Sequence, residues 1–206
     1  KVRLTGGEPL LRKDLASLVA RIKALPGTPE VVMTTNAMLL SRYARDLADA
    51  GLDRLNVSLD TLREERFERL SRRRGLAETL AGLDAAADAG LTRTKLNTVV
   101  MGDINDDEIG DLLAFSAARG IHQRFIEFMP MRSNGYGLDA ARVPLDEIRA
   151  RIEEVGPLRS VGRGSGPAED FVIESTGQKV GVIAAISQPF CESCNRVRLT
   201  CTGTLY

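Results

Sequence analysis

The fold is decided by the opening stretch, residues 1–11, which reads KVRLTGGEPLL. Its first residues alternate apolar and polar side chains, a pattern typical of a β-strand. Two glycines follow, and they allow a tight turn with close approach of the backbone to a ligand. Glu8 then places a carboxylate at the end of the strand, before Pro9. A strand, a glycine turn and a helix form the unit at which α/β proteins bind small molecules, although a βα turn with an incidental acid is the alternative.

Strands and helices alternate along the residues that follow. Asp14 can begin a helix whose apolar residues have the spacing of one buried face: Leu15, Leu18, Val19 and Ile22. Further strands are predicted at 30–36, 54–60, 94–100 and 124–129, and further helices at 41–50, across 76–83 and from residue 105. This order predicts βαβ units and a parallel sheet. Because there is no dinucleotide fingerprint, we expect an α/β fold of the incomplete TIM-type βα barrel kind rather than a doubly wound sheet.

The predicted strands carry an unusual number of polar residues. Within each strand they are two positions apart and share one face: Arg3 and Thr5; Asn56, Ser58 and Asp60; Lys95 and Asn97. So polar an inner wall predicts an open barrel that holds a ligand. The alternative is that some of these residues lie on loops just beyond short strands.

The texture of the sequence changes near residue 132. We therefore predict two domains, a partial barrel over 1–132 and a C-terminal extension over 133–206. The extension is expected to contain a short helix at 144–154, loops including 162–167, and short strands near 170–175 and 179–186.

Three charged features receive structural interpretations. The acidic run at 103–108 fails as a calcium loop, because Glu108 replaces the required glycine and Ala114 the final glutamate, so it predicts a helix start. The arginines at 72–74 are interpreted as a solvated helix entry. His122 precedes a strand and is assigned no catalytic role.

The amino-acid composition argues against nucleic acid and membranes as binding partners. Lys and Arg number 28, as do Asp and Glu, so no net charge attracts nucleic acid or a membrane surface. Aromatic residues make up only 4%, which argues against a platform for stacking bases. No apolar run is long enough to span a bilayer and no signal peptide is visible. The chain starts with Lys inside a predicted strand, so we expect an internal fragment of a longer protein.

The cysteines lie together near the C-terminus. Cys191, Cys194 and Cys201 all fall within the last sixteen residues, which favours a metal site in a reducing compartment over a disulfide framework. Two thiolates in a C-x-x-C pattern can hold one soft metal but cannot complete its coordination, and Cys201 is a possible third ligand. A zinc knuckle or a redox pair would be the default interpretation. Arg196 and Arg198 share a face suited to a phosphate or a nucleobase.

Taken together, these motifs resemble the GTP 3′,8-cyclase family of radical S-adenosylmethionine (SAM) enzymes, also called molybdenum cofactor biosynthesis protein A. The matching segments, in order, are RLTGGEP (3–9), TTN (34–36), NVSLD (56–60), KLN (95–97), RFIEFM (124–129) and CESCNRVR (191–198). Gly-Gly-Glu-Pro alone indicates only the superfamily, whereas the C-terminal Cys/Arg motif makes the resemblance specific. It extends over essentially the whole chain.

The resemblance implies a lyase with two [4Fe–4S] clusters, each on three cysteines. The first cluster would cleave SAM reductively, and the resulting radical would remove hydrogen from C3′ of GTP. The product would be 3′,8-cyclo-7,8-dihydro-GTP, an early intermediate of molybdenum cofactor biosynthesis. An electron donor, a cytoplasmic location and transfer of the product to the cyclic pyranopterin monophosphate synthase are also implied, and a homodimer is compatible with the family.

The resemblance also implies roles for individual residues. Gly7, Ser58 and Met129 would contact SAM. Arg3, Thr34, Lys95, Arg196 and Arg198 would contact GTP, with Arg124 as an additional triphosphate contact. Cys191 and Cys194 would hold the second cluster.

Two departures from the family pattern matter. The cysteine motif of the first cluster is absent, so the fragment is expected to be inactive. The third ligand of the second cluster would come about fourteen residues after Cys194, beyond Tyr206, and Cys201 is therefore expected to be a small packed strand residue. Two alternatives stay open: another radical SAM enzyme with an auxiliary cluster, such as a peptide modifier, and a zinc-stabilised module without enzymatic activity.

Overall fold

A computed structural model of the chain describes residues 1–129, 142–164, 166–188 and 196–206. The strands within these residues are β1 (Val2–Leu4), β2 (Val31–Thr35), β3 (Arg54–Ser58), β4 (Thr94–Val100), β5 (His122–Glu127), β6 (Leu158–Arg163), β7 (Glu169–Ile173) and β8 (Lys179–Ile183). The α-helices are α1 (Leu15–Lys23), α2 (Leu40–Asp49), α3 (Glu64–Ser71), α4 (Leu76–Asp88), α5 (Ile109–Ala118) and α6 (Leu145–Glu153). Short 3₁₀ turns occupy Pro9–Leu11 and Asp106–Glu108.

The strands form one mixed sheet in the order β1-β2-β3-β4-β5-β8-β7-β6. Each strand from β1 to β5 is parallel to the next, and β8 continues the parallel part beside β5. Among the strands of the described residues, the β8–β7 and β7–β6 pairs alone are antiparallel. The α/β class and the parallel arrangement of the first five strands are therefore confirmed.

Alternation along the strands gives the sheet two different faces. Val31, Met33, Leu55, Val57 and Leu96 are buried in one apolar core with residues of α1, α2 and α4. A second core joins β5, β7 and β8 to α5 and α6. The positions between these apolar residues point to the opposite side of the sheet, which we call the polar face; it carries Arg3, Thr34, Arg54, Asn56, Ser58, Lys95, Asn97, Arg124 and Asp170.

The first helix has the predicted buried face but not the predicted cap. Leu15 and Val19 are buried, and Leu18 and Ile22 pack against the same core. Asp14 occupies the N-cap position without a side-chain capping bond. Its carboxylate instead binds Arg12 at 2.9 Å, so the helix is held by its apolar face.

Two elements were missed from the sequence. α3 buries only Phe67, so its sequence has little apolar periodicity. It ends at Arg72, whose left-handed conformation (φ 59°) separates it from α4; the exposed arginines at 72–74 therefore follow one helix as well as precede another. β6 covers residues expected to be loop at 162–163, and within the described part of the sheet it is an edge strand paired with β7.

The C-terminal residues extend the same sheet rather than forming a separate layer. β8 pairs with β5 in parallel, for example Phe125 opposite Val182, and both side chains lie in the second core. The proposed domain division at 132 lies outside the described residues.

The acidic run begins a helix, as predicted, but its last residue has a further function. Glu108 is completely buried and accepts hydrogen bonds from Thr61 Oγ1 (2.7 Å), Leu62 N (2.8 Å) and Arg66 Nη1 (2.7 Å). It thereby fixes the connection that follows β3. Among the described residues no helix is both long and apolar enough to cross a membrane.

Candidate active site on the polar face of the sheet

A cleft of about 300 Å³ opens at the carboxyl ends of β1, β2 and β3. Its lining residues are Thr5, Gly6, Gly7, Glu8, Thr34, Thr35, Asn36 and Ser58. The structure thus brings together Gly7, Ser58 and Thr34, which come from three separate predicted segments. Gly6 has a φ of 148°, which favours glycine, and a Cβ at Gly7 would meet no described heavy atom within 4 Å. The turn therefore leaves room for a ligand beside its backbone.

Glu8 holds this turn against the end of β2. Its carboxylate accepts hydrogen bonds from Thr35 Oγ1 (2.7 Å), Asn36 N (2.9 Å) and Leu10 N (3.0 Å). The acid that the sequence left open as incidental is therefore a structural clamp of the cleft.

Arg3 begins a row of cations on the polar face. Its Nη1 donates to Thr34 Oγ1 at 3.1 Å, and it also donates to Asn56 when the Asn56 amide is oriented to accept. Burial lowers the pKa of Arg3, as do the charges of Arg54 and Arg196. A partly desolvated guanidinium near other cations is suited to an anionic ligand.

Lys95 and Arg124 continue the row on β4 and β5. Lys95 lies between Asn56 and His122 in the sheet register, and Arg124 lies beside Asn97. Burial, followed by the charge of Arg124, lowers the pKa of Lys95 to about 8. Burial also lowers the pKa of Arg124. Such desolvated cations gain most from a multiply charged ligand.

Two members of this environment were missed from the sequence. The positive charge of Arg54 lowers the pKa values of Arg3, Lys95 and Arg124. Arg54 also forms an ion pair with Glu30 at 2.9 Å. The signal was present, because Arg54 lies two positions before Asn56 and so shares its face. His122, which was given no role, is the sheet neighbour of Lys95, and burial lowers its pKa to about 4.

The predicted C-terminal arginines differ in placement. Arg196 is near enough to Arg3 to lower its pKa. Arg198 is exposed, and its backbone pairs with that of Tyr206 through bonds of 3.0 and 2.9 Å. Only Arg196 is thus linked to the cation row by a described interaction.

The remaining predicted residues are Met129 and the three cysteines. Met129 is 51% exposed just beyond β5. Cys191 and Cys194 lie outside the described residues. Cys201 is exposed in a turn beside the bridge between Leu199 and Leu205, so the prediction of a packed strand residue is wrong. The strand pattern there lacks a covering layer of apolar side chains among the described residues.

Two carboxylates near the strand ends were not predicted as site residues. Glu127 is fully buried and accepts hydrogen bonds from Arg142 Nη2 (3.2 Å), Ile186 N (2.9 Å) and both donors of Ser187 (2.6 and 2.8 Å). It ties the segment after β8 to the end of β5. Asp60 accepts from Val99 N at 2.8 Å, but burial raises its pKa to about 6.

Two family models together match almost the entire chain. The model described as the Radical SAM superfamily matches residues 1–116, and the model described as Molybdenum Cofactor Synthesis C matches residues 121–206. The join between them precedes β5.

Curated relatives confirm the resemblance to GTP 3′,8-cyclases. The GTP 3′,8-cyclase of Hydrogenovibrio crunogenus is 44% identical over 209 residues, covering 100% of this chain and 63% of the relative. That of Streptomyces coelicolor is 46% identical over 207 residues, covering 98% of this chain and 60% of the relative. The chain therefore spans less than two thirds of the length of these relatives.

Solved structures share the fold at low sequence identity. Streptococcus suis SuiB matches with a TM-score of 0.62 and 20% identity, over 75% of this chain and 35% of SuiB. TYW1 with a lysine-pyruvate adduct matches with a TM-score of 0.56 and 17% identity, over 79% of this chain and 53% of TYW1. With the family model covering more than half of the residues, the glycine turn and the parallel strands are those of a known class: the chain belongs to the radical SAM superfamily.

Proposed function

We propose that this chain is part of a GTP 3′,8-cyclase, a radical SAM lyase of molybdenum cofactor biosynthesis. The observation that carries the proposal is the shared polar face, on which the cations of β1, β4 and β5 lie beside the glycine cleft. Identity of 44% to enzymes of this name, along the whole chain, supports the same reaction.

The cleft is the proposed binding site for SAM. Gly7 and Ser58 line it, and the absence of a side chain at Gly7 leaves space for the methionyl group against the backbone. Met129, which is exposed just beyond β5, is proposed as a further SAM contact. The residues fit the ligand because they combine backbone polar groups with an open wall.

The cation row is the proposed binding site for the GTP triphosphate. Arg3, Lys95 and Arg124 would bind the phosphate oxygens, Thr34 would orient Arg3, and Arg196 and Arg198 would bind from the C-terminal segment. Several desolvated cations suit a ligand with three or four negative charges better than they suit a single phosphate. Enclosure by protein would keep water away from a radical intermediate.

Two [4Fe–4S] clusters are proposed for the full-length protein, with Cys191 and Cys194 holding the second. When bound, the first cluster would supply the electron for reductive cleavage of SAM, and the second, held by Cys191 and Cys194, would supply a binding position for the guanine. The third thiolate of the second cluster is proposed to lie past Tyr206.

The architecture and partners follow from the same proposal. Five parallel strands, β1 to β5, with helices on one face support a partial TIM-type barrel over 1–132, and β8 adds a sixth parallel strand from the extension over 133–206. The wider proposal includes a cytoplasmic enzyme with an electron donor, a possible homodimeric state, and delivery of product to the cyclic pyranopterin monophosphate synthase.

The test uses the full-length protein, reconstituted anaerobically with iron and sulfide. We expect 5′-deoxyadenosine and the cyclised nucleotide to form from SAM and a reductant only when GTP is added. Formation of 5′-deoxyadenosine independent of GTP would favour a different radical SAM enzyme. Stoichiometric zinc in place of iron and sulfide would favour the non-enzymatic module.

A further inference from the structure

Asp170 brings a negative charge to the cation row from the C-terminal part of the sheet. It lies on β7, opposite Gly181 of β8, which in turn lies opposite Arg124 of β5. A Cβ at Gly181 would lie 2.9 Å from Asp170 Oδ1 and 3.0 Å from Arg124 Cγ. Glycine thus leaves the gap through which the carboxylate and the arginine side chain approach each other across the intervening strand.

The carboxylate is not neutralised by a single close partner. Asp170 Oδ1 lies 3.5 Å from His122 Nε2, and both atoms are buried without a hydrogen bond among the described residues. Buried Arg124 Nε and Asn97 Oδ1 also lack one. Since unsatisfied buried polar atoms are costly, their grouping indicates a site organised for something besides stability.

The charges around Lys95 explain what the carboxylate can do. Among the described residues, Arg54 on β3, Arg124 on β5 and Lys1 near β1 disfavour the charged ammonium of Lys95, and Asp170 favours it. His122, the sheet neighbour of Lys95, faces Asp170, Arg124 and Lys179 and is neutral at physiological pH. The pKa of Lys95, about 8, is therefore close to physiological pH, so small changes in the surrounding charges alter its protonation.

We propose that Asp170 is a positioning residue: facing Arg124 across Gly181, and His122 beside Lys95, its carboxylate is the resident counter-ion of the Lys95 and Arg124 side chains until the triphosphate binds. This inference rests on the proposed function. It gives the C-terminal extension a second part in substrate recognition, in addition to that of its arginines. The carboxylate of Asp170 on β7 acts on the cations of β4 and β5.

The experiment measures binding of GTP and of inorganic tripolyphosphate to the full-length protein by calorimetry, from about pH 6.5 to about pH 9. In wild type we expect affinity to fall as Lys95 deprotonates near the upper end of this range. Asp170→Asn should move that midpoint down by about one pH unit, so that binding is about fivefold weaker near pH 8 and close to tenfold weaker near pH 9. Near pH 6.5 it should be as strong as wild type or stronger, since a negative charge facing the phosphates is gone.

Matched variants separate this effect from a structural one. Glu174→Gln removes a charge just past β7, where Glu174 is exposed and lies 3.8 Å from Arg159, and it should leave the midpoint unchanged. Adding Lys95→Arg to Asp170→Asn should abolish the midpoint, because arginine stays protonated. If Asp170→Asn does not fold, Asp170→Ser removes the same charge and takes its place.

The outcomes are distinct. A midpoint in Asp170→Asn equal to that of wild type overturns the inference while leaving the proposed function intact. Absence of GTP and tripolyphosphate binding to wild type at every pH overturns the proposed function itself.

Discussion

Glu8 Oε1 accepts a 2.7 Å hydrogen bond from Thr35 Oγ1, and this bond joins the glycine turn after β1 to the end of β2. The second carboxylate oxygen accepts from Asn36 N at 2.9 Å. Both strand ends line the cleft, so its width depends on this pair. The cleft is consequently a property of two strands held together and not of the glycine turn alone.

Removing this clamp should weaken SAM binding. We expect Glu8→Ala to lower the free energy of unfolding by about 1.5–3 kcal/mol, because hydrogen bonds to a charged acceptor are lost. SAM affinity should fall at least about tenfold, measured by calorimetry with the full-length protein. Glu68→Ala, which removes only a surface ion pair with Arg74, is the control and should change neither quantity by more than about 1 kcal/mol. Equal SAM affinity in wild type and Glu8→Ala would show that the clamp does not shape the site.

Lys95→Ala in the full-length protein should weaken GTP binding far more than SAM binding. The ammonium is desolvated and surrounded by other cations, so its loss removes a charge-assisted contact worth about 1.5–3 kcal/mol. Calorimetric titration with each ligand checks this. A similar loss of affinity for both ligands would place Lys95 outside the triphosphate site.

Asp60→Asn should stabilise the protein at neutral pH. Because burial raises the pKa of Asp60 to about 6, the folded protein binds a proton at Asp60 more tightly than the unfolded chain does. The stability that this proton contributes is fully present below about pH 4 and is lost as the pH rises through 6. Asparagine can still accept the hydrogen bond from Val99 N, so we expect a gain of up to about 2 kcal/mol at pH 7.5 and none below pH 4, from urea unfolding. A constant difference across this range would contradict the assignment.

Glu127→Gln should loosen the segment that leads to the cysteine motif. The buried carboxylate binds Ser187, Ile186 and Arg142, and removing its charge takes away the described ion-pair partner of Arg142. We expect a loss of about 2–3 kcal/mol in unfolding free energy and a lower retained iron content. Glu153→Gln, on α6, serves as the control. Unchanged stability would mean that the backbone alone fixes this connection.

The cysteines should differ in their need for iron. Cys191→Ser in the full-length protein should lose about one cluster of iron, because ligation requires the thiolate. Cys201→Ala should keep iron content and GTP turnover near wild type, since Cys201 is exposed in a turn beyond the paired arginines. Loss of the same iron from Cys201→Ala would make Cys201 the third ligand.

Local patterns in the sequence determined much of this protein. The alternation in Val2–Leu4 and Thr94–Val100 follows from burial of one strand face, and the spacing of Leu15 and Val19 follows from burial of one helix face. Parallel order then followed because a helix separates each strand from the next. The same alternation, strand by strand, predicted a polar wall that includes Arg3, Asn56 and Lys95.

The tertiary structure decided what depends on residues distant in the chain. Whether Glu8 was incidental depended on where Thr35 lay, and whether His122 mattered depended on Lys95 and Asp170. The parallel pairing of β8 with β5 brought Gly181 and Asp170 to the cation row, and no periodicity in residues 169–183 specifies that partner. Side-chain alternation determines which face of the sheet a residue occupies. Strand order and register determine which charged residues are neighbours on that face. The protonation of Lys95 depends on those neighbours.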